Sequence, residues 1–256
     1  MWNVTQGPTA AQNIGKHDAS VISVKHLPER NILVSGSWDK TLKIWDMRQP
    51  NPTATLPLPE RVLAMDARGQ VLVAYTADNN MHVYDMNSGS KISEFKSPLN
   101  YQTKSLSIFK DGKGFASGCI EGRVAIEYFD ELQLKAQQAA NPAMKKTSKN
   151  FAFKCHRQGS DVYTVNALHF HQQNTFATAG SDGIIYFWDK ENRQRLANLE
   201  LLKLNTCITG VQFSPTGDKL FYSTGYDWSK GAEHNNPSNQ AMAPAIYAHA
   251  LLPVEV

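Results

Sequence analysis

Long apolar runs are missing from this chain. No stretch of about 18 apolar residues occurs, so no helix is expected to cross a membrane. Cysteine is scarce: Cys119, Cys155 and Cys207 are odd in number, far apart and without a CxxC pair. That spacing argues against a disulfide framework and against a cysteine zinc site. The three read as reduced, partly buried thiols of an intracellular protein. The start, Met1-Trp2-Asn3-Val4, has neither the basic head nor the apolar core of a secretory leader. Excess charge is also small. Twenty-six Lys and Arg against 23 Asp and Glu leave a formal +3 over 256 residues, so any attraction to nucleic acid has to come from a local patch. Helical periodicity is absent apart from a short candidate at Glu131 to Ala140, stopped by Asn141-Pro142.

What the chain does have is repetition. Ser35-Gly36-Ser37-Trp38-Asp39-Lys40-Thr41-Leu42-Lys43-Ile44-Trp45-Asp46 returns as Ala179-Gly180-Ser181-Asp182-Gly183-Ile184-Ile185-Tyr186-Phe187-Trp188-Asp189. Each copy has small residues, an Asp-centred turn, an alternating strand and then Trp-Asp. Weaker copies end at Tyr84-Asp85 and at Tyr128. Trp45 and Tyr84 stand 39 residues apart, Tyr84 and Tyr128 44 apart, the length of one four-stranded propeller blade. Short β-rich runs fall into five units: Val21 to His26, Ile32 to Val34 and Leu42 to Trp45; then Val62 to Ala67, Val71 to Tyr75 and Met81 to Tyr84; then Ser105 to Phe109, Gly114 to Ser117 and Val124 to Tyr128. Val165 to Phe170, Phe176 to Thr178 and Ile184 to Trp188 make the fourth, and Ile208 to Phe213, Leu220 to Ser223 and Ala245 to His249 the fifth.

These motifs resemble the WD-repeat β-propeller family over nearly the whole chain. The fold expected is all-β, a single propeller domain over residues 1–256 with about five blades. Residues 130–150 read as an inserted loop and 232–244 as a long loop before the last strand. Met1-Trp2-Asn3 resembles the end of a third strand, which leaves about two N-terminal blades of a seven-bladed ring to be accounted for. Gln6 to Ile14 would either supply the outer strand of a preceding blade or pair with the last unit. In the family, an entry His, a second-strand Ser or Thr, a turn Asp and a third-strand Trp form a hydrogen-bonded set. His17, Ser35, Asp39 and Trp45 match it in full. Asp78, Asp182 and Trp188 match it in part, and Tyr84 replaces the second Trp. The resemblance implies that these residues hold blades together.

Three further segments narrow the likeness: Gly36 to Asp46 with Leu58-Pro59-Glu60-Arg61; Glu121-Gly122-Arg123-Val124-Ala125-Ile126-Glu127-Tyr128 with Phe153-Lys154-Cys155-His156-Arg157; and Tyr226-Asp227-Trp228-Ser229-Lys230-Gly231. Together they resemble the WD-repeat messenger-RNA export factors of the nuclear pore, with the kinetochore spindle-checkpoint propellers as the alternative. The first resemblance implies a scaffold that binds a segment of a phenylalanine-glycine-rich nucleoporin and single-stranded RNA. It also implies residence at the nuclear envelope with shuttling to the cytoplasm, and links to mitotic spindle proteins.

No catalytic motif stands beside this. The chain has no GxSxG elbow and no HExxH. Gly15-Lys16 lacks the upstream glycine of a phosphate loop, and His169-x-His171 lacks a third zinc ligand. A non-enzymatic protein without cofactor or metal is expected. Two places suit RNA or a partner. Lys154, His156 and Arg157, close to Phe151, Phe153 and the insertion lysines Lys145, Lys146 and Lys149, would meet phosphates. Trp228 and Lys230, with Asp227, offer a stacking ring beside a cation, and Gly225 and Gly231 flank them.

Overall fold

The computed structural model describes residues 13–132, 148–172, 174–196, 206–235, 243–251 and 255. It is all-β: five antiparallel blades and one two-stranded hairpin. The blades fall into two compact units, Met1–Lys96 and Ser97–Val256.

The first unit holds two blades. In the first, β1 (Val21–Leu27), β2 (Ile32–Ser37), β3 (Thr41–Asp46) and β4 (Ala54–Pro57) pair in chain order. In the second, β5 (Val62–Arg68), β6 (Val71–Thr76), β7 (Asn80–Asp85) and β8 (Lys91–Lys96) do the same. The inner strands β1 and β5 pack against each other. The core between the blades gathers Val34, Leu42, Val62, Met65 and Leu72, none more than 3% exposed. Gly36 permits this approach: a Cβ there would lie 2.8 Å from Met65 Sδ and 2.9 Å from Val62 Cγ1.

The second unit holds three blades. The third blade runs β9 (Thr103–Ile108), β10 (Gly114–Cys119), β11 (Arg123–Tyr128) and β12 (Phe151–Lys154). After the hairpin of β13 (Arg157–Gln158) and β14 (Asp161–Val162), the fourth blade runs β15 (Val165–Phe170), β16 (Thr175–Gly180), β17 (Ile185–Asp189) and β18 (Gln194–Arg195). The fifth has three strands among the described residues: β19 (Ile208–Phe213), β20 (Lys219–Thr224) and β21 (Ala245–Ala250). Gly118 repeats the logic of Gly36, because its Cβ would stand 2.6 Å from Val165 Cγ1 of the neighbouring blade.

All fifteen expected strands are present, most of them longer at one end by a residue or more. The outer strands β4, β8 and β18 were not expected. Their residues alternate between exposed and half-buried or stay exposed throughout, so they carry no core signal. Residues 129–132 are helical, while 133–147, which include most of the expected helix with Lys145 and Lys146, lie outside the described residues. So do Met1 to Asn3 and most of Gln6 to Ile14.

Candidate nucleic-acid interface

Two blades carry a complete buried polar chain. In the first, Trp45 Nε1 donates to Ser35 Oγ at 2.7 Å, the Ser35 hydroxyl to His17 Nε2 at 2.7 Å, and His17 Nδ1 to Asp39 Oδ2 at 2.7 Å. In this direction the carboxylate acts only as an acceptor. Burial pushes the Asp39 carboxyl up, but hydrogen bonds from Thr41, the Asp18 backbone and His17 prevail and bring it down to about 2. In the fourth blade, Trp188 Nε1 donates to Thr178 Oγ1 at 2.9 Å, Thr178 to His156 Nε2 at 2.9 Å, and His156 Nδ1 to Asp182 at 2.9 Å. The second blade keeps a reduced version: Asp78 accepts from Thr76 at 2.5 Å and Asn80 at 2.9 Å, and His82 bonds Thr76 at 3.0 Å. A satisfied network of this kind rigidifies the turn that it spans.

His156 therefore has a different place from the one expected. It is 1% exposed and forms the entry histidine of the fourth blade. Both ring nitrogens are taken by neighbouring side chains, so it does not line a groove. Its neighbours do reach the surface. Lys154 is exposed and stands directly opposite Arg123 in the pairing of β12 with β11. Arg157 donates to the Glu121 carbonyl at 2.8 Å, and its guanidinium lies 3.4 Å from the Glu121 carboxylate, which also serves Arg123 at 3.7 Å. Two arginines thus share one acid.

Aromatic rings join β12 to the fourth blade. Phe153 packs on Trp188 at 4.6 Å between centroids, and both are half-buried. Arg195 is the register partner of Trp188, and its guanidinium lies 5.2 Å from the Tyr186 ring. Arg193 covers Phe151 at 4.6 Å. Phe153 and Lys154 are consecutive on β12 and so face opposite ways: the rings of Phe153 and Trp188 lie with Arg195, and Lys154 lies with Arg123. A cavity of about 560 Å³ is lined by Tyr128, Phe129, Lys149, Lys190 and Arg193 among others. Lys190 is 2% exposed, with its ammonium 4.8 Å from the Phe109 ring and 5.1 Å from that of Tyr128. Burial works against its charge, but hydrogen bonds to Glu191 and Tyr128 prevail and raise its pKa.

The second expected place is a shaped loop. Trp228 is 60% exposed and sits at φ 63°, a conformation rare for a bulky residue. Gly231 N donates to Trp228 O at 3.1 Å, and the Tyr226 hydroxyl to Gly231 O at 2.7 Å. The Tyr226 and Trp228 rings lie 5.6 Å apart. Lys230 is exposed. Asp227 turns inward and accepts from Asn166 at 2.9 Å, from Ser181 and from the Ser229 backbone at 3.1 Å. Burial opposes its ionisation, yet these donors hold the carboxyl far below the usual carboxylate range.

The histidine pair on β15 has structural partners as well. His169 Nδ1 accepts from Phe213 N at 3.2 Å, and His171 Nε2 donates to Gly217 O at 3.0 Å. Among the described residues no group of three potential ligands is placed to hold a metal ion.

The WD domain, G-beta repeat profile matches residues 10–46 and 147–189, which contain the two complete His–Ser/Thr–Asp–Trp sets. A poly(A)+ RNA export protein of Schizosaccharomyces pombe is 43% identical over 234 residues, covering 88% of this chain and 62% of its own length. The mRNA export factor GLE2 of Chaetomium thermophilum is 39% identical over 248 residues, covering 92% and 65%. Protein Rae1 of Drosophila melanogaster is 40% identical over 253 residues, covering 94% and 68%. The chain belongs to the WD-repeat messenger-RNA export factors. It spans 62 to 68% of the length of these three relatives.

For an export-factor propeller, sequence reasoning placed Lys154 and Arg157 on the surface and Trp228 and Lys230 on an exposed loop. It did not single out Arg123, which stands opposite Lys154, or Arg195, which stands opposite Trp188. One signal was available for His156: His17 precedes its Trp by 28 residues, and His156 precedes Trp188 by 32. That spacing marks His156 as the second blade-entry histidine.

Proposed function

We propose that this chain is a non-enzymatic scaffold in messenger-RNA export that binds single-stranded RNA and a nucleoporin segment at the nuclear pore. The names of its relatives support the export role. The observation that supports RNA contact is the pairing of Arg123 with Lys154 on adjacent strands. Like charges directly opposite each other on adjacent strands destabilise a sheet. A phosphate bridging the two would relieve that repulsion. Exposed rings elsewhere on the surface offer flat faces to bases, a sequence-tolerant mode of holding single strands. Trp228 and Lys230 form a second contact of the same chemistry on the loop after β20.

The test is fluorescence anisotropy with a labelled oligouridylate across a salt series. About three phosphate contacts, from Arg123, Lys154 and Lys230, should give a log–log salt slope near −2. Lys154→Glu should weaken binding tenfold or more without lowering the melting temperature. RNA affinity unchanged by Lys154→Glu would refute the contact at Arg123 and Lys154. Retention of the propeller by an immobilised nucleoporin segment, measured alongside, tests the second partner.

A further inference from the structure

The structure assigns to Asn166 the role of a positioning residue: it clamps Asp227 and thereby fixes the loop that presents Trp228 to solvent. The assignment rests on the reading of Trp228 as a stacking ring, and it is tested here by a measurement that needs no RNA.

The inner strand of every blade carries an irregularity near its start, where one residue drops out of the pairing. The residues concerned are Ile22, Leu63, Lys104, Asn166 and Thr209. A bulge re-aims the side chain of its extra residue. In the fourth blade alone that side chain is a carboxamide, and it is 8% exposed. Its Nδ2 lies 2.9 Å from Asp227 Oδ2, 3.0 Å from Ile208 O and 3.2 Å from Ser181 Oγ. One nitrogen thus meets a carboxylate, a carbonyl of the next blade and a hydroxyl. Ser181 in turn donates to the same Asp227 oxygen. The other Asp227 oxygen takes the Ser229 N–H at 3.1 Å, which closes a turn over Trp228.

Trp228 stands between two anchored points, Asp227 on one side and the Tyr226–Gly231 bond on the other. It adopts a left-handed backbone that a tryptophan does not choose by itself. The clamp holds that conformation and leaves the ring outside. Without the clamp, Asp227 has no reason to remain inward, and the loop relaxes.

The charged and titratable groups around the clamp are few. Cys207 is held up at about 11 by burial and by Asp227, and Lys230 lies on the loop itself. Asp182, next to Ser181, is engaged by His156. Asp227 ionises far below pH 5 and Cys207 far above pH 8, so neither titrates in between.

Asn166→Asp makes use of this. It sets a second carboxyl against Asp227, and two carboxylates in one site force one of them to hold a proton to higher pH. Acrylamide quenching specific to Trp228, taken as the difference from Trp228→Phe, reads the loop. We expect a flat profile for the wild type from pH 5 to pH 8. Asn166→Asp should match the wild type at pH 5 and quench about twofold more at pH 8. Tryptic cleavage after Lys230 should rise about fivefold in Asn166→Asp and in Asp227→Ala at pH 8. A pH-independent Asn166→Asp, or cleavage at the wild-type rate in both variants, overturns the clamp. If wild-type protein fails to bind RNA, the RNA reading falls while quenching and cleavage still decide the clamp.

Discussion

Replacing Thr178 by Val removes one oxygen from the middle of the fourth blade's buried chain and preserves the side chain's shape. That oxygen makes two hydrogen bonds, one to His156 and one from Trp188, both at 2.9 Å. Each is worth about 1 kcal/mol net, and a buried group left without a partner costs a further 1–3 kcal/mol or so. His156 Nε2 is fully enclosed and would bear that penalty. Trp188 is half-buried, so its N–H would regain water in part. The sum is about 3 kcal/mol, or roughly 6–12 °C in melting temperature for a chain of this size. Thr178→Ser keeps the oxygen and removes one methyl, which costs about 1 kcal/mol. Urea denaturation followed by circular dichroism measures both variants. A cycle with Trp188→Phe should return a coupling of about 1 kcal/mol. A Val variant no less stable than the Ser variant would refute the account of His156 as a blade-binding residue and return it to the surface chemistry of Lys154 and Arg157.

Other outcomes follow from the same geometry. Asp39 has a folded pKa of about 2, below the ordinary value near 3.9. Its contribution is therefore complete above about pH 4 and is lost as the pH falls towards 2, which an acid titration of wild type against Asp39→Asn should register. Gly118→Val should destabilise by more than about 2 kcal/mol, because even a Cβ would meet Val165 at 2.6 Å; a thermal melt checks it. Trp228→Ala removes a ring that is 60% exposed, so it should shift the melting temperature by less than about 2 °C while reducing oligouridylate affinity about tenfold, within the range for loss of one stacked base.

Much of the framework was legible in the chain itself. The inner three strands of each blade face a core on at least one side, so their alternation and β-branched content mark them. The Trp-Asp endings at Trp45 and Trp188 set the period. The set of His17, Ser35, Asp39 and Trp45 could be named in advance from the resemblance to the WD-repeat family. The outer strands were less legible, since Lys91–Lys96 has no fully buried residue to mark it.

What tertiary structure decided was which side chains share a surface. Arg123 and Lys154 are 31 residues apart in sequence, with residues 130–150 between them, and only the pairing of β11 with β12 sets them opposite each other. The phrase Lys154-Cys155-His156-Arg157 reads as one basic run, yet the backbone turns within it. Lys154 ends an outer strand, His156 enters the fourth blade at φ 47°, and Arg157 bends back to Glu121. In the same way Asp227 belongs in sequence to an exposed loop and in space to Asn166 and Ser181. Periodicity reports the face of each strand, because burial imposes it locally. Register between strands and contact between blades depend on pairs distant along the chain, and one sequence carries no record of those pairs until it folds.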